Sequence, residues 1–388
     1  MKGLHYLDYA ATSAIRPPSV AEAVHRFLTQ VGATPGRGGH RLAVEAGRTV
    51  LHCRMAVARV LGVPEDPGQI ALTMNATQGI NLALWGLLGS GDVVVTTAYD
   101  HNATLRPVWL LGMERGVLQR VVPGAPDGSV DLEDLGTALE GARLLVVNAA
   151  SNVLGTRLPL AEMASMAREA GALVLVDAAQ WAGHFSPRLA ESGADLVAFT
   201  GHKGLLGPQG IGGLWVRDGV EIRPHLAGGT GGDSLAVEMP EAYPDRLEPG
   251  SMNAPGAAGL LAGIEALEGL GIEDVHRNEV ALKSVLWEGL ESIPGVRVLS
   301  PKALDGLGIV TVVSDSVDPP TLSAALDRAW GVMVRHGLNC APGVHRMLGT
   351  EVEGAIRFSL GWASTPADVQ QALRGVDAIT SGPLVPVA

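Results

Sequence analysis

Only two cysteines occur among 388 residues, Cys53 and Cys340, too few for a disulfide framework or a cysteine-rich metal site. No apolar run approaches the roughly 20 residues that cross a bilayer, and the first residues, Met1 to Tyr6, lack the apolar centre of a signal peptide. A cytoplasmic protein with no membrane partner is expected. Blocks of like charge are missing too, and 40 acidic against 28 basic side chains leave a net charge of −12, which argues against a nucleic-acid groove. Apolar residues, by contrast, make up 47% of the chain, enough for one large core or two moderate ones. The 51 glycines and 24 prolines suit many tight strand-to-helix turns.

Along the chain, short β-branched runs alternate with stretches of helical periodicity. Strands are expected at 70–73, 93–97, 117–122, 144–148, 173–177 and 195–200, with helices at 79–88, 105–115, 132–139 and 160–170 between them. Pro17-Pro18 opens a helix to about Gln30, and a second helix runs from Ala43 to Leu61, stopped by Gly62. Such alternation predicts an α/β fold with a mainly parallel sheet covered by helices on both faces. Two long helices, 257–270 and 273–292, then give way to shorter strands and helices, a change to an α+β pattern that marks a smaller C-terminal domain. The division expected is a large domain over 18–255 and a small one built from 1–17 and 256–388.

The chemistry concentrates between Leu173 and Gly213. Leu173-Val-Leu-Val176 is an apolar run ending in Asp177, with Gln180 three residues on; Thr200 closes the next run, ahead of Gly201-His202-Lys203. Singly these are ordinary: an acid after a strand is a turn former or helix cap, and Gly-His-Lys is a polar turn. Together they place a carboxylate, a hydroxyl, an imidazole and a lysine at adjacent strand ends. Pyridoxal 5'-phosphate needs that set: an amine to hold it, an acid that keeps its ring nitrogen protonated, and donors for its ring oxygen and phosphate. Ligands of parallel sheets sit beyond the carboxyl ends of the strands. Ala76 and Thr77 lie in the turn that joins a strand to a helix, where the first helical amides and the Thr77 hydroxyl can hold a phosphate, although Thr77 also reads as a plain N-cap. His101, after another strand, reads equally as a surface cap.

In this order the motifs resemble the aminotransferase class V group of fold-type I pyridoxal-phosphate enzymes, whose pattern is Asp-x-x-Gln followed by Ser/Thr-x-His-Lys. The resemblance implies that Lys203 is the Schiff-base lysine, that Asp177 partners the pyridine nitrogen and Gln180 the ring hydroxyl, and that Thr200 and His202 join Ala76 and Thr77 on the phosphate. His101 matches the imidazole that stacks on the ring and helps move protons. Ser151-Asn152-Val-Leu-Gly155 matches the loop whose asparagine approaches the ring oxygen and the substrate carboxylate. Glu248-Pro-Gly-Ser251-Met-Asn253 is similar to the family's Glu-x-Gly-Thr-x-Asn, with Ser251 in place of threonine; that hydroxyl reaches the phosphate of the neighbouring subunit, which implies a homodimer. Tyr6-Leu-Asp-Tyr-Ala-Ala-Thr12 resembles the arm beside the substrate site, and the glycine-rich loop with His40 is a candidate rim of it.

Near the C-terminus, Arg335-His-Gly-Leu-Asn-Cys340-Ala-Pro342 surrounds its cysteine with polar neighbours, which suits a partly exposed, reactive thiol; Cys53, inside a helix, reads as a core residue. The segment resembles the Arg-x-Gly-x-x-Cys-Ala loop of SUF-type cysteine desulfurases and selenocysteine lyases, departing from it at His336, Leu338 and Asn339. Arg357-Phe-Ser-Leu-Gly-Trp362-Ala-Ser364-Thr365 resembles the family's last signature, with Ser364 where asparagine is usual. The resemblance makes Arg357 the clamp on the substrate carboxylate and Arg335 a second positive group. The expected activity is conversion of L-cysteine to L-alanine with a persulfide on Cys340, passed to a sulfur-acceptor protein in sulfur transfer and iron–sulfur cluster assembly. Selenocysteine lyase, C–S lyase or epimerase chemistry are the enzymatic alternatives, and a sulfur-transfer scaffold or partner-binding protein is the non-enzymatic one. No metal is expected.

Overall fold

A computed structural model describes residues 4–36, 38–231, 235–302 and 305–382. The chain enters through a two-residue strand, β1 (His5–Tyr6), and passes into α1 (Pro18–Arg26), continued by a π-helical turn over Phe27–Val31, and α2 (Arg41–Leu61). Strands and helices then alternate: β2 (Ile70–Thr73), α3 (Ala76–Leu87), β3 (Val93–Thr97), α4 (Asn102–Arg115), β4 (Leu118–Val122), α5 (Leu132–Leu139), β5 (Leu144–Asn148), α6 (Leu160–Glu169), β6 (Leu173–Asp177), β7 (Leu196–Thr200) and β8 (Gly212–Val216). The seven strands β2 to β8 form one sheet in the order β2-β8-β7-β6-β5-β3-β4. It is parallel except at β8, which runs antiparallel to both neighbours. Every residue of β3, β5 and β7 is buried, as expected of strands covered on both faces, and each buried valine or leucine contributes roughly 1.5–3 kcal/mol.

The rest of the chain forms α7 (Ala254–Leu270), α8 (Ile272–Glu291), β9 (Val296–Val298), β10 (Ile309–Ser314), α9 (Pro319–Trp330), β11 (Val332–Met333), β12 (Arg335–Gly337), α10 (Pro342–Leu348), β13 (Ala355–Ser359) and α11 (Pro366–Ser381). An antiparallel sheet, β12-β13-β10-β9, packs into its own core with Leu286, Val310, Phe358 and Val369. Helix α7 stays with the larger sheet, its Leu260 and Ile264 lying in one cluster with Phe27 and Val57.

Several helices begin earlier than apolar periodicity suggests, because their caps are polar residues. Asn75 Oδ1 accepts from the Gln78 amide at 3.0 Å and starts α3 at Ala76 rather than Gly79; Thr77 is therefore not the cap. His101 Nδ1 accepts from the Ala103 amide at 3.0 Å and starts α4 at Asn102 rather than Leu105.

The N-terminal arm crosses between the two parts. β1 pairs in parallel with β11, Ser359 N–H donates to the Leu7 carbonyl at 2.7 Å, and Ala10 N–H donates to Ser359 Oγ at 3.0 Å. A few residues on, Ser13 N–H reaches the His202 carbonyl at 2.8 Å and Ser13 Oγ the Lys203 carbonyl at 2.9 Å. The arm thus ties the turn bearing Lys203 to the smaller sheet.

That turn is also held by a close backbone approach. Gly183 has φ +86°, and a Cβ there would lie 2.3 Å from the Gly204 carbonyl oxygen. Gly183→Ala should lower unfolding free energy in urea by about 2–4 kcal/mol through combined strain and clash; a loss below about 1 kcal/mol, the ordinary cost or gain of a glycine exchange, would mean that the turn has slack.

Candidate active site

The carboxyl ends of β5, β6 and β7 bring Asn148, Asp177 and Thr200 to one edge of the large sheet, with Asn148 and Asp177 paired in register. Above that edge lies a cavity of about 220 Å³ lined by Ala76, Thr77, His101, Asn152, Asp177, Gln180, Thr200, His202 and Lys203 from the large-sheet side, and by Arg335, Cys340 and Arg357 from the smaller sheet. Twelve of the fourteen residues expected from sequence therefore meet in one place. His40 and Ser251 do not: they line a separate cleft with Gly229 and Thr230. His40 is held away because its Nδ1 caps α2, accepting from the Ala43 amide at 3.3 Å.

Burial shapes the charges around the cavity. The Lys203 ammonium is disfavoured by loss of water, pulling its pKa down to about 8; Asp177 opposes the drop, while Arg357 and Arg335 add to it. Burial pushes Asp177 upward, against a hydrogen bond from the Ala179 amide at 2.9 Å and the attraction of Lys203. His101 and His202 fall to about 4, from burial first and Lys203 second, so both rings are neutral near pH 7. Because His101 Nδ1 already accepts a hydrogen bond, its neutral ring carries the proton on Nε2. Asp100, buried where β3 meets α4, rises to about 7, mainly from burial, despite hydrogen bonds from Thr97.

Arg357 is fully buried on β13. Its Nη1 donates to the Asn152 carbonyl at 3.0 Å and its Nη2 to Asp8 Oδ1 at 2.8 Å. The other oxygen of Asp8 lies 3.4 Å from Arg335 Nε. Nothing in the arm's sequence marks this acid off from its neighbours; only the fold shows that it holds both arginines.

Cys340 is exposed and Cys53 buried. Asn339 and Cys340 both adopt left-handed backbone, φ +48° and +56°, an arrangement that non-glycine residues hold only when neighbours enforce it. Here Asn152 Nδ2 donates to the Asn339 carbonyl at 2.7 Å, and the Asn102 amide donates to the Cys340 carbonyl at 2.8 Å. The cysteine is presented by a pinned, strained turn rather than a slack loop.

Several cavity groups remain buried without a hydrogen-bond partner among the described residues: Thr200 Oγ1, His202 Nδ1, Asn152 Oδ1 and Arg357 Nε. Thr200 Oγ1 and His202 Nδ1, with the first amides of α3, which have no intrahelical partner, can donate to a phosphate, Asn152 Oδ1 is an acceptor left for a ring hydroxyl, Asp177 is a buried acid for a ring nitrogen and Lys203 an amine with a lowered pKa, a set that matches pyridoxal phosphate.

Comparison with known proteins bears on the same residues. The Aminotransferase class-V family model matches residues 5–372. A probable cysteine desulfurase of Pyrococcus abyssi (strain GE5 / Orsay) is 34% identical over 362 residues, 91% of this chain and 88% of that one. The apo structure of a cysteine desulfurase from Thermococcus onnurineus NA1 superposes with a TM-score of 0.92 at 33% identity, covering 98% of this chain and 95% of that one. The cysteine desulfurase CsdA (S-sulfonic acid) from Escherichia coli gives a TM-score of 0.86 at 28% identity, over 97% and 94% of the two chains. The matched span takes in both sheets and every residue lining the Lys203 cavity, and the chain belongs to the aminotransferase class-V family.

Proposed function

We propose that this protein is a pyridoxal-phosphate-dependent cysteine desulfurase that converts L-cysteine to L-alanine and leaves a persulfide on Cys340. The observation that carries the reading is the meeting of Lys203, Asp177, a buried arginine and an exposed cysteine in one cavity. Cysteine desulfurases of known structure with TM-scores of 0.92 and 0.86 support it.

In this reading Ala76, Thr77, Thr200 and His202 hold the cofactor phosphate, Gln180 and Asn152 its ring oxygen, Asp177 its ring nitrogen and Lys203 its aldehyde carbon. Bound there, pyridoxal phosphate supplies a sink for the electron pair released at the substrate Cα. His101, which lines the same cavity, would stack on the cofactor ring and help move protons there. Arg357 clamps the substrate carboxylate with a planar fork that lysine could not copy. Lys203 Nζ, neutral at a pH that would leave an ordinary lysine charged, takes the Cα proton. The Cys340 sulfur then attacks the substrate sulfur: the S–S bond forms, the Cβ–S bond breaks, Cβ gains a proton, and alanine leaves. A two-electron thiol reductant or an acceptor thiol regenerates Cys340.

Ser251 and His40 would serve the partner's cavity in a homodimer, since neither reaches the cavity of its own chain. The same reading makes residues 18–255 a large cofactor-binding domain and 1–17 with 256–388 a smaller one, with the boundary moved past α7, whose Leu260 and Ile264 pack with the larger core. A sulfur-acceptor protein, a role in iron–sulfur cluster assembly and a cytoplasmic setting complete the proposal; no helix among the described residues is long and apolar enough to cross a membrane. Incubating cofactor-loaded protein with L-cysteine and dithiothreitol should yield alanine and sulfide in equal amounts, and pyruvate in place of alanine would refute the reading.

A further inference from the structure

Resting on the assignment of Lys203 to the cofactor, we propose that His184 and Glu279 are positioning residues for the Lys203 amine, carrying the docking of the smaller sheet to the main chain beside that lysine. The two belong to different parts of the molecule. His184 follows β6 in a turn whose Trp181, Phe185 and Leu189 lie in the core of the large sheet, whereas Glu279 stands on α8, whose Leu282, Leu286 and Leu290 lie in the core of the smaller one. Their side chains meet between the two, His184 Nδ1 3.0 Å from Glu279 Oε2, with 11% and 1% of each exposed. With the carboxylate as acceptor, Nδ1 carries the proton of this bond.

The far edge of the imidazole faces the lysine turn. A Cβ at Gly204 would lie 2.7 Å from His184 Cδ2 and 2.8 Å from its Nε2, so the ring rests on the residue that follows Lys203. A second support holds the other side of the turn: Ser13 N–H and Oγ donate to the His202 and Lys203 carbonyls, and Ser13 lies in the arm that β1 pairs to β11. Both supports are thus anchored in the smaller sheet, one through the arm and one through Glu279. An apolar contact in place of the pair would hold the two parts together yet let them slide. A buried, charge-assisted hydrogen bond is directional and costly to leave unmade, and so fixes one register. The register matters because Lys203 must release the cofactor and then reach the substrate Cα from the same main chain, where about 1 Å of misplacement can cost about a hundredfold in rate. Burial is the largest influence on the amine, ahead of Asp177, Arg357, Arg335 and Cys340; a turn slack enough to admit water therefore raises its pKa.

Capture of pyridoxal phosphate by apoprotein, followed by the visible band as a function of pH, tests this. Wild type should show its midpoint near pH 8. His184→Ala and Glu279→Ala should move it up by about one pH unit and slow capture at pH 8 about fivefold. Glu279→Gln, which keeps the shape and an acceptor for Nδ1–H, should stay within about 0.3 unit of wild type. Ser186→Ala is the docking control: it removes a 2.8 Å bond to Glu273 Oε1 that joins the same turn to the same helix with no part in the Gly204 contact, and it too should stay within about 0.3 unit. A wild-type midpoint in both alanine variants, whatever stability they lose in urea, would overturn the proposal and leave the pair a docking contact. A Ser186→Ala shift as large as theirs would do the same. If neither alanine variant folds, His184→Asn decides, since it keeps a donor for Glu279 but takes the ring edge off Gly204; an unshifted midpoint there overturns the proposal. Wild-type apoprotein that stays colourless would overturn instead the assignment of Lys203 on which this rests.

Discussion

Lys203→Ala protein loaded with pyridoxal phosphate should lack the visible absorption of lysine-bound cofactor and make alanine from L-cysteine about 10²–10⁴-fold more slowly than wild type, the range expected when a positioned proton-transfer group is lost. The size of the effect follows from two duties falling on one amine, holding the cofactor and moving the Cα proton. A pH signature accompanies it. Because burial lowers the Lys203 pKa from 10.5 to about 8, the apoprotein should capture the cofactor with a half-maximal rate near pH 8, followed by absorbance. The linkage has a definite sign. Between those two values the unfolded chain binds the proton and the folded chain does not, so stability contributed by this site rises with pH across that window. Lys203→Ala apoprotein should lack that rise in urea unfolding. Capture that keeps accelerating past pH 10 at the rate of a solvent-exposed amine would show that the lysine is not desolvated, and a wild-type protein that stays colourless with the cofactor would remove the basis of the functional reading.

Cys340→Ser should retain the visible band and bind L-cysteine, yet lose alanine formation by at least about a hundredfold, because the hydroxyl is a poor nucleophile toward sulfur. The change is nearly isosteric, so the left-handed turn and its hydrogen bonds from Asn152 and Asn102 should persist. Cys53 is the control. It is fully buried, its thiol pushed up to about 12 by loss of water, and Cys53→Ser should leave activity within about twofold while costing about 1–3 kcal/mol for a buried hydroxyl without a partner. Should Cys340→Ser release pyruvate and sulfide at the wild-type rate, the enzyme is an eliminating lyase and the persulfide assignment fails.

What could be read from the sequence was what short segments decide for themselves. The apolar runs of β3, β5, β6 and β7 announce buried parallel strands, and the last two carry Asp177 and the Lys203 turn to the edge that the parallel-sheet rule specifies. Apolar periodicity places helix starts two or three residues late where polar caps, Asn75, His101 and His40, extend the helix beyond its apolar pattern. The reversed direction of β8 was not legible, since its fully buried pattern is the same as that of β3, β5 and β7, which run parallel to one another. Least visible were features made by distant segments meeting. Asp8 gains its meaning only beside Arg357 and Arg335, and the left-handed backbone at Asn339 and Cys340 is imposed by Asn152 and Asn102. The separation of His40 from the cavity is likewise a property of the fold.

The N-terminal arm also bears on the order in which the molecule becomes itself. His5 and Val332 are register partners 327 positions apart in the chain, a loop whose closure entropy must be met before any contact rewards it. On a ribosome the large sheet, with Asp177, Thr200 and Lys203 in place, is complete while Arg357 and Cys340 are still unmade. The half of the cavity that meets the cofactor therefore precedes the half that meets the substrate. β1 has no strand to pair with until β11 and Ser359 have been made, so docking of the arm on the smaller sheet follows both, and with it Asp8 reaches Arg357 and Arg335.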